Sequence, residues 1–298
     1  MKYIVDQNDI VLKEPDSFII SETVECGQCF NFNKISDESY VITAFNKALH
    51  IYKKENDIIL KNTNVEEYET IWSNYFDFSR DYKSIKETLS QKDKIIKEAL
   101  EYAPGIRIIN QEFFQCLISF IISQNNRIPM IKKVVNNLSK RYGEYLGNIC
   151  GEEYFSFPSP NSLYGISAEE LMESKTGFRG KYIVDAVNKY VECFFEQDKF
   201  PSMTTEQIRE KLMCVKGVGP KVADCVMLFS LGRQDAFPTD VWVKRVMSYF
   251  YFDKQDTPIK EIHKFAYDTF GEHAGFAQQY LFNYARNFKI NPEKEGKK

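Results

Sequence analysis

Over about residues 3 to 62 the chain alternates short apolar runs with polar turns: FIISETV, CFNFNKI, YVITAF, ALHIYK and DIILKN, separated by segments such as ISDES and KKEND. Runs of this length, rich in Ile, Val, Tyr and Phe and joined by short turns, predict an antiparallel meander. From Asn64 the spacing changes. Asn64 to Tyr75 and Tyr82 to Tyr102 repeat apolar residues at helical intervals, with Ile85, Leu89, Ile95, Ile96 and Leu100 on one face. Beyond that point the pattern predicts a chain that is almost entirely helical. FFQCLISFII and IPMIKKVVNNLSKRYG read as two helices around the polar interruption SQNNR (123–127). Phe157 to Pro160 and Ser174 to Gly177 read as connections, a long helix is expected from Arg179 toward Phe195, and Thr205 to Cys214 makes another. The charged tail NPEKEGKK is expected to fray. The fold class is therefore α+β, with an N-terminal antiparallel β domain over 1–100, including its following helices, and a helical core over 101–298.

One stretch of the helical part is built unusually. Leu212, Met213 and Val215 end an apolar helix, Lys216-Gly217-Val218-Gly219 turns the chain, and Pro220 suits the first position of the next helix. This predicts a helix-hairpin-helix over about 205–232. Gly217 and Gly219 permit positive φ and close backbone approach, and the free N–H groups at the second helix's start suit a phosphate. Read alone, the stretch is equally a tight glycine-capped turn. Lys221 falls in the first turn of that helix, where the dipole's positive end disfavours an ammonium, and a neutral amine is a nucleophile. Cys225 lies one turn deeper on the same face. Nineteen residues after Lys221 comes Asp240, in FPTDVWVKRV, placed to cap a helix. A carboxylate there could also stabilise a cationic, sugar-like transition state.

Composition narrows the chemistry. With 298 residues, 43% of them hydrophobic, the chain can bury a substantial core. Neither a secretory leader nor a membrane span is expected: MKYIVDQNDI lacks a basic segment followed by an apolar run, and no stretch of about 18 apolar residues occurs. Seven cysteines scattered singly fit free thiols in the cytoplasm. Cys26 and Cys29 make the one C-x-x-C, and no second pair follows to complete a zinc site, so they read as two buried thiols and no metal is expected. Three histidines leave little for histidine-based catalysis. A net charge of −3 excludes wrapping nucleic acid by bulk electrostatics, so any such contact is local.

Together these segments resemble the 8-oxoguanine DNA glycosylase/AP lyase family of the helix-hairpin-helix DNA glycosylases that carry a Gly/Pro-rich loop and an aspartate. The resemblance rests on GVGPKVADC with PTDVW, on CGQCF (26–30), SQNNRI (123–128), GFRGKY (177–182) and AGFAQQYLF (274–282), in family order over nearly the whole chain. It implies a β domain packed on two helical lobes with the active-site cleft between them. No cofactor is implied, since the four clustered cysteines of the iron–sulfur relatives are absent. The implied partner is double-stranded DNA containing 8-oxoguanine, handled by a monomer in the cytoplasm, nucleoid-associated if the source is bacterial.

By the same resemblance, Lys221 matches the amine that attacks the sugar C1′ and forms a Schiff base before β-elimination, and Asp240 matches the catalytic aspartate. Gly27 matches the glycine whose carbonyl meets the damaged base. The oxidised guanine presents an N7–H donor where guanine presents a lone pair, a difference worth about 1–3 kcal/mol. Cys225 and Phe282 match the two sides of the base sandwich, and Gln278 the amide at its pairing edge, for a base flipped out of the duplex. Asn125 matches the residue filling the vacated space, Phe178 an aromatic wedge and Arg179 a contact to the orphaned cytosine. On their own, Phe178 reads as core and Arg179 as a surface charge.

The sequence also departs from the better-known eukaryotic members. Met130 stands where they carry a second arginine facing cytosine, which implies a relaxed preference for the opposite base. Trp242 stands where they place a phosphate-contacting histidine, and Phe178 where they have tyrosine. Two other readings remain at this level. A relative acting on alkylated or other oxidised purines conflicts with Lys221, which the alkylbase glycosylases lack, and a non-catalytic DNA-binding module has no need of Lys221, Asp240, Gly27, Gln278 and Phe282 together.

Overall fold

Six strands make one antiparallel sheet: β1 Tyr3–Asp6, β2 Asp9–Leu12, β3 Phe32–Ser36, β4 Ser39–Ala44, β5 Lys47–Lys54 and β6 Asp57–Lys61, in the order β1-β2-β6-β5-β4-β3. The computed structural model describes residues 1–288, so the tail NPEKEGKK lies outside the described residues. Strands β3 to β6 form the expected meander, with Ile42 opposite Leu49 and Ile51 opposite Leu60. Phe45 and Asn46, between β4 and β5, have φ of 51° and 56°, the doubly positive geometry that matches the twist of a two-residue hairpin. Two features differ from the sequence pattern. FIISETV contributes helix α1 (Ile20–Val24), because Ile20, Thr23 and Val24 bury together at helical spacing. The sheet instead takes YIVD and DIVL as its first strands and extends beyond the meander by pairing β2 with β6.

Helices α2 (Val65–Glu67) and α3 (Ser73–Tyr75) are joined by a π-helical turn, Tyr68–Trp72. The helical spacing from Tyr82 to Tyr102 is then divided into α4 (Tyr82–Lys92) and α5 (Lys94–Tyr102). Asp93 causes the break: its Oδ1 caps α5 by accepting from the Ile96 N–H at 2.8 Å and also accepts from the Tyr251 hydroxyl at 2.7 Å. The remaining helices are α6 (Phe113–Ser123), α7 (Ile128–Tyr142), α8 (Pro160–Leu163), α9 (Ala168–Met172), α10 (Gly180–Val191), α11 (Thr205–Met213), α12 (Pro220–Ser230), α13 (Val241–Tyr251), α14 (Ile259–Phe270) and α15 (Ala274–Phe288). A hairpin of β7 (Tyr145–Ile149) and β8 (Glu152–Phe155) interrupts the part expected to be helical. Among the described residues no helix is long and apolar enough to cross a membrane.

Every residue of α6 from Phe113 to Ile122 is buried, which places this helix at the centre, packed on α12, α7 and α10. Two hydrophobic cores result. Ile10, Tyr40, Ile42, Leu49, Ile51, Trp72 and Phe76 belong to the sheet's core, whereas α4, α5 and the later helices share the other. The segment CGQCF crosses between them: Cys26 and Phe30 belong to the helical core, Cys29 to the sheet's. Gln28 holds the crossing. Fully buried, it donates to the carbonyls of Thr23 and Arg107, each at 2.7 Å, and its Oε1 accepts from the Ile109 N–H at 3.0 Å. A buried amide so fully paired fixes the backbone around it, here that of Gly27.

Candidate active site

The helix-hairpin-helix forms from α11 and α12. Thr204 and Gln207 build a capping box at the start of α11, and Pro220 opens α12 with Gly219 as its N-cap. Gly217, at φ 79°, has Tyr182 of α10 against it, so that a Cβ would stand 2.4 Å from the tyrosine Cδ2. Only glycine fits there. The neighbouring Lys216 N–H donates to Asp185 Oδ2 at 2.9 Å, tying the hairpin to α10. At Gly219 nothing lies within 4 Å of a Cβ position, which leaves the start of α12 open.

That open end faces a cleft of about 720 Å³, lined by the hairpin, by the loop after α6 and by the start of α13. Lys221, Asp240, Gly217, Gly219, Asn125 and Trp242 all line it. The Lys221 amine donates a long hydrogen bond to Ser123 Oγ at 3.4 Å and lies 5.1 Å from the centroid of the Phe120 ring. Asp240 is the N-cap of α13, its Oδ1 accepting from the Val243 N–H at 2.8 Å. The second oxygen of the carboxylate is not needed for that cap. Cys225 is buried beneath Lys221, and burial pushes its thiol up to about 12, so it presents a neutral S–H. The cleft thus combines a primary amine, a carboxylate fixed by a backbone bond and the unpaired N–H groups of a helix start.

A second cluster gathers residues from the two ends of the chain. Gly27 has φ 88°, and a Cβ on it would stand 3.3 Å from Phe282 Cε1 and 3.7 Å from Ile128 Cδ1. The backbone before it is held by α15: Gln279 Nε2 donates to the Cys26 carbonyl and Arg286 Nη2 to that of Glu25, both at 2.9 Å. Gln278 is buried, and among the described residues its Oε1 has no hydrogen-bond partner. A buried acceptor without a partner is uncommon enough to suggest that a ligand supplies the donor. Gly27, Gln278, Phe282 and Cys225 are not among the residues lining the Lys221 cleft; Cys225 lies one turn below Lys221 on α12.

Around the loop 123–127 the structure reverses one pair of expectations. Phe178 is 52% exposed, whereas Arg179 is only 8% exposed. The 3-10 turn Gly177–Arg179 aims the phenyl ring outward and turns the guanidinium inward, where Nε donates to the Gln124 carbonyl at 2.8 Å and Nη2 to that of Asn125 at 3.0 Å. Nη1 approaches the Thr176 carbonyl at 3.4 Å. Arg179 is therefore committed to holding the loop that presents Asn125, which is exposed and left-handed at φ 46°. Met130, Trp242 and Val241 are exposed. Phe178, Met130 and Trp242 thus form apolar projections around the loop and the cleft.

The cleft wall also contains residues not singled out from the sequence, among them Asp224, Thr239 and His263. Asp224 is fully buried on α12, paired through Oδ1 with Arg209 Nε at 2.7 Å. Its presence on an otherwise apolar helix face, three residues after Lys221, was the available signal. His263 carries no local signal, because its neighbours belong to other elements.

Residues 10–117 match the family described as 8-oxoguanine DNA glycosylase, N-terminal domain, and residues 118–267 that described as HhH-GPD superfamily base excision DNA repair protein. The chain is similar to the 8-oxoguanine glycosylase/lyase of Clostridium acetobutylicum, solved with double-stranded DNA containing cytosine opposite 8-oxoG: 38% identity, 97% of this chain and 99% of that chain, TM-score 0.92. It is equally similar in fold to MBOgg1, solved with a low-affinity DNA ligand, at 43% identity over 97% of this chain and 100% of that chain, TM-score 0.92. The N-glycosylase/DNA lyase OGG1 of Arabidopsis thaliana is 34% identical over 203 residues, 65% of this chain and 55% of that protein.

Proposed function

Because this chain belongs to the HhH-GPD superfamily of base excision DNA repair proteins, with the N-terminal domain of the 8-oxoguanine DNA glycosylases, we propose that its cleft excises 8-oxoguanine through Lys221. The enzyme is a bifunctional N-glycosylase/DNA lyase of base excision repair. Its substrate is duplex DNA containing 8-oxoguanine. The observation that carries the assignment of residues is the joint placement of Lys221 and Asp240 on one cleft, at the starts of two successive long helices.

In the proposed reaction the Lys221 amine forms a bond to C1′ as the bond from C1′ to the base nitrogen breaks, and the departing base takes up a proton. The attached nitrogen, having lost one proton, then uses its lone pair to break the C1′–O4′ bond, O4′ takes up a proton, and the sugar opens to a protonated Schiff base. Removal of a C2′ proton then expels the 3′ phosphate by β-elimination, and water releases the enzyme. Asp240, pinned by its cap bond, stabilises positive charge at the sugar without reorganising. Gly27, Gln278, Phe282 and Cys225 form the base pocket in this reading, the partnerless Gln278 Oε1 accepting from an N–H on the base's pairing edge. The free N–H groups at the start of α12, beside Gly217 and Gly219, receive a DNA phosphate. Asn125 and the exposed Phe178 enter the duplex, and Trp242 stacks or donates one N–H beside it.

The organisation that goes with this reading is a β unit over about 1–100 and a core over 101–298, stitched together by α4 and α5, whose apolar faces join the helical core. The protein acts as a monomer in the cytoplasm or at the nucleoid, without a cofactor, and with relaxed preference for the base opposite the lesion. Borohydride reduction during reaction with an 8-oxoguanine duplex tests the central claim. The native protein forms a covalent adduct and Lys221→Gln does not; an adduct surviving in Lys221→Gln would transfer the role to another amine. A non-catalytic DNA-binding module would give none with either.

A further inference from the structure

On one wall of the cleft, three elements meet at one imidazole. His263, on α14, places Nε2 3.0 Å from Thr239 Oγ1 and 4.0 Å from Asp224 Oδ2. Thr239 immediately precedes Asp240, and Asp224 lies three residues after Lys221. The Thr239 hydroxyl donates to the Phe237 carbonyl at 3.0 Å, so toward the ring it acts as acceptor and Nε2 carries the hydrogen. Asp224 cannot follow a moving ring: it is fully buried, its Oδ1 is held by Arg209 at 2.7 Å, and Arg209 also pairs with Glu206. Among the described residues its Oδ2 has no hydrogen-bond partner, and the imidazole Nε2 stands 4.0 Å from it, a charge contact rather than a hydrogen bond. Thr239, Asp224 and His263 all line the same cleft as Lys221 and Asp240.

We propose that His263 is a positioning residue for the reaction: its Nε2–H is hydrogen-bonded to Thr239 and its ring is set against the buried Asp224 carboxylate, 4.0 Å away, so that this link between the two elements holds the Asp240 carboxylate and the Lys221 amine at a fixed separation. The proposal rests on the assignment of Lys221 and Asp240 above. The physical need is clear. Lys221 and Asp240 sit on different helices, and the loop between them, residues 231–239, has no regular structure to set their spacing. A misplacement of about 1 Å between reacting groups can lower a rate by about a hundredfold. A link one residue from Asp240 and one helical turn from Lys221 supplies the missing constraint.

The test uses the full-length enzyme, single-turnover excision from an 8-oxoguanine duplex, duplex affinity measured separately, and Lys221→Gln as the reference for loss of chemistry with binding retained. His263→Leu removes the donor, while His263→Gln puts an amide N–H near the position of Nε2. We expect His263→Leu to lose about tenfold or more in rate with unchanged affinity, and His263→Gln to recover most of it. Should His263→Leu fold poorly, Thr239→Val removes the acceptor at nearly constant volume and Thr239→Ser keeps it; the same loss and recovery are expected. The two deletions should not add, because each breaks the same link. A wild-type rate in either His263→Leu or Thr239→Val, no recovery in the conservative partner, or additive losses would overturn the proposal. Full activity of Lys221→Gln would instead remove the reading on which it stands.

Discussion

Gly27 and Phe282, near opposite ends of the chain, face each other so closely that a Cβ added to Gly27 would stand 3.3 Å from Phe282 Cε1. The glycine also has φ 88°, a conformation that side chains rarely adopt. Gly27→Ala is therefore expected to strain the backbone and push the ring. Excision of 8-oxoguanine should fall at least about tenfold, since an acceptor displaced from N7–H loses a hydrogen bond worth about 1–3 kcal/mol. Cleavage at a preformed abasic site, which needs no base recognition, should remain. Equal losses on both substrates would contradict a base-reading role.

Gly217→Ala meets a harder obstacle, because Tyr182 occupies the place where the methyl would go. The hairpin must shift away from α10. Duplex affinity should weaken several-fold, with a smaller dependence on salt if a phosphate contact at the start of α12 is lost. A titration at two ionic strengths checks both effects.

Arg179 donates to the Gln124 and Asn125 carbonyls from one planar group. Lysine, a point donor on a flexible stem, cannot reproduce that fork. Arg179→Lys and Arg179→Met should both lower stability by about 1–3 kcal/mol, by removing the charged donor's hydrogen bonds to these part-buried carbonyls. Thermal unfolding measures this, and slower excision from duplex DNA should accompany it as Asn125 loses its setting.

Met130 is 44% exposed near the start of α7, close in sequence to the Asn125 loop. Replacing it with arginine adds hydrogen-bond donors without disturbing a core. Met130→Arg should raise the ratio of excision rates opposite cytosine to those opposite adenine by about tenfold, the equivalent of one polar base contact. An unchanged ratio would show that position 130 does not face the opposite base.

Burial raises the Asp224 carboxyl to about 6, more than Arg209 lowers it. A carboxyl raised in the fold contributes stability that is fully present below its unfolded value of 3.8 and is lost as pH rises through about 6. Wild type should therefore lose stability relative to Asp224→Asn as pH rises from about 4 to above 6, by up to about 3 kcal/mol. Urea unfolding of both proteins across that window reads the difference directly.

The elements near the Lys221 helix were legible because their causes are local. Pro220 and Gly219 start α12, Asp240 caps α13, and the polar break 123–127 divides α6 from α7 through residues adjacent to the structures they govern. Local patterning misled where a short apolar run suited two states: FIISETV has strand-like composition, yet Ile20, Thr23 and Val24 bury as one helical turn. Asp93 had the capping chemistry to divide α4 from α5, but the periodicity on either side concealed it.

Caps, turns and periodicity act over a few residues, so the α+β order, the helix-hairpin-helix and the lysine and aspartate at two helix starts could be read locally. Which face each side chain took, and what it met, depended on packing between distant segments. That packing turned Arg179 inward and Phe178 outward, set Gly27 against Phe282, and brought His263 between Thr239 and Asp224. Burial and partnership depend on surfaces brought together from distant parts of the chain, and a local pattern carries no record of which surfaces those are.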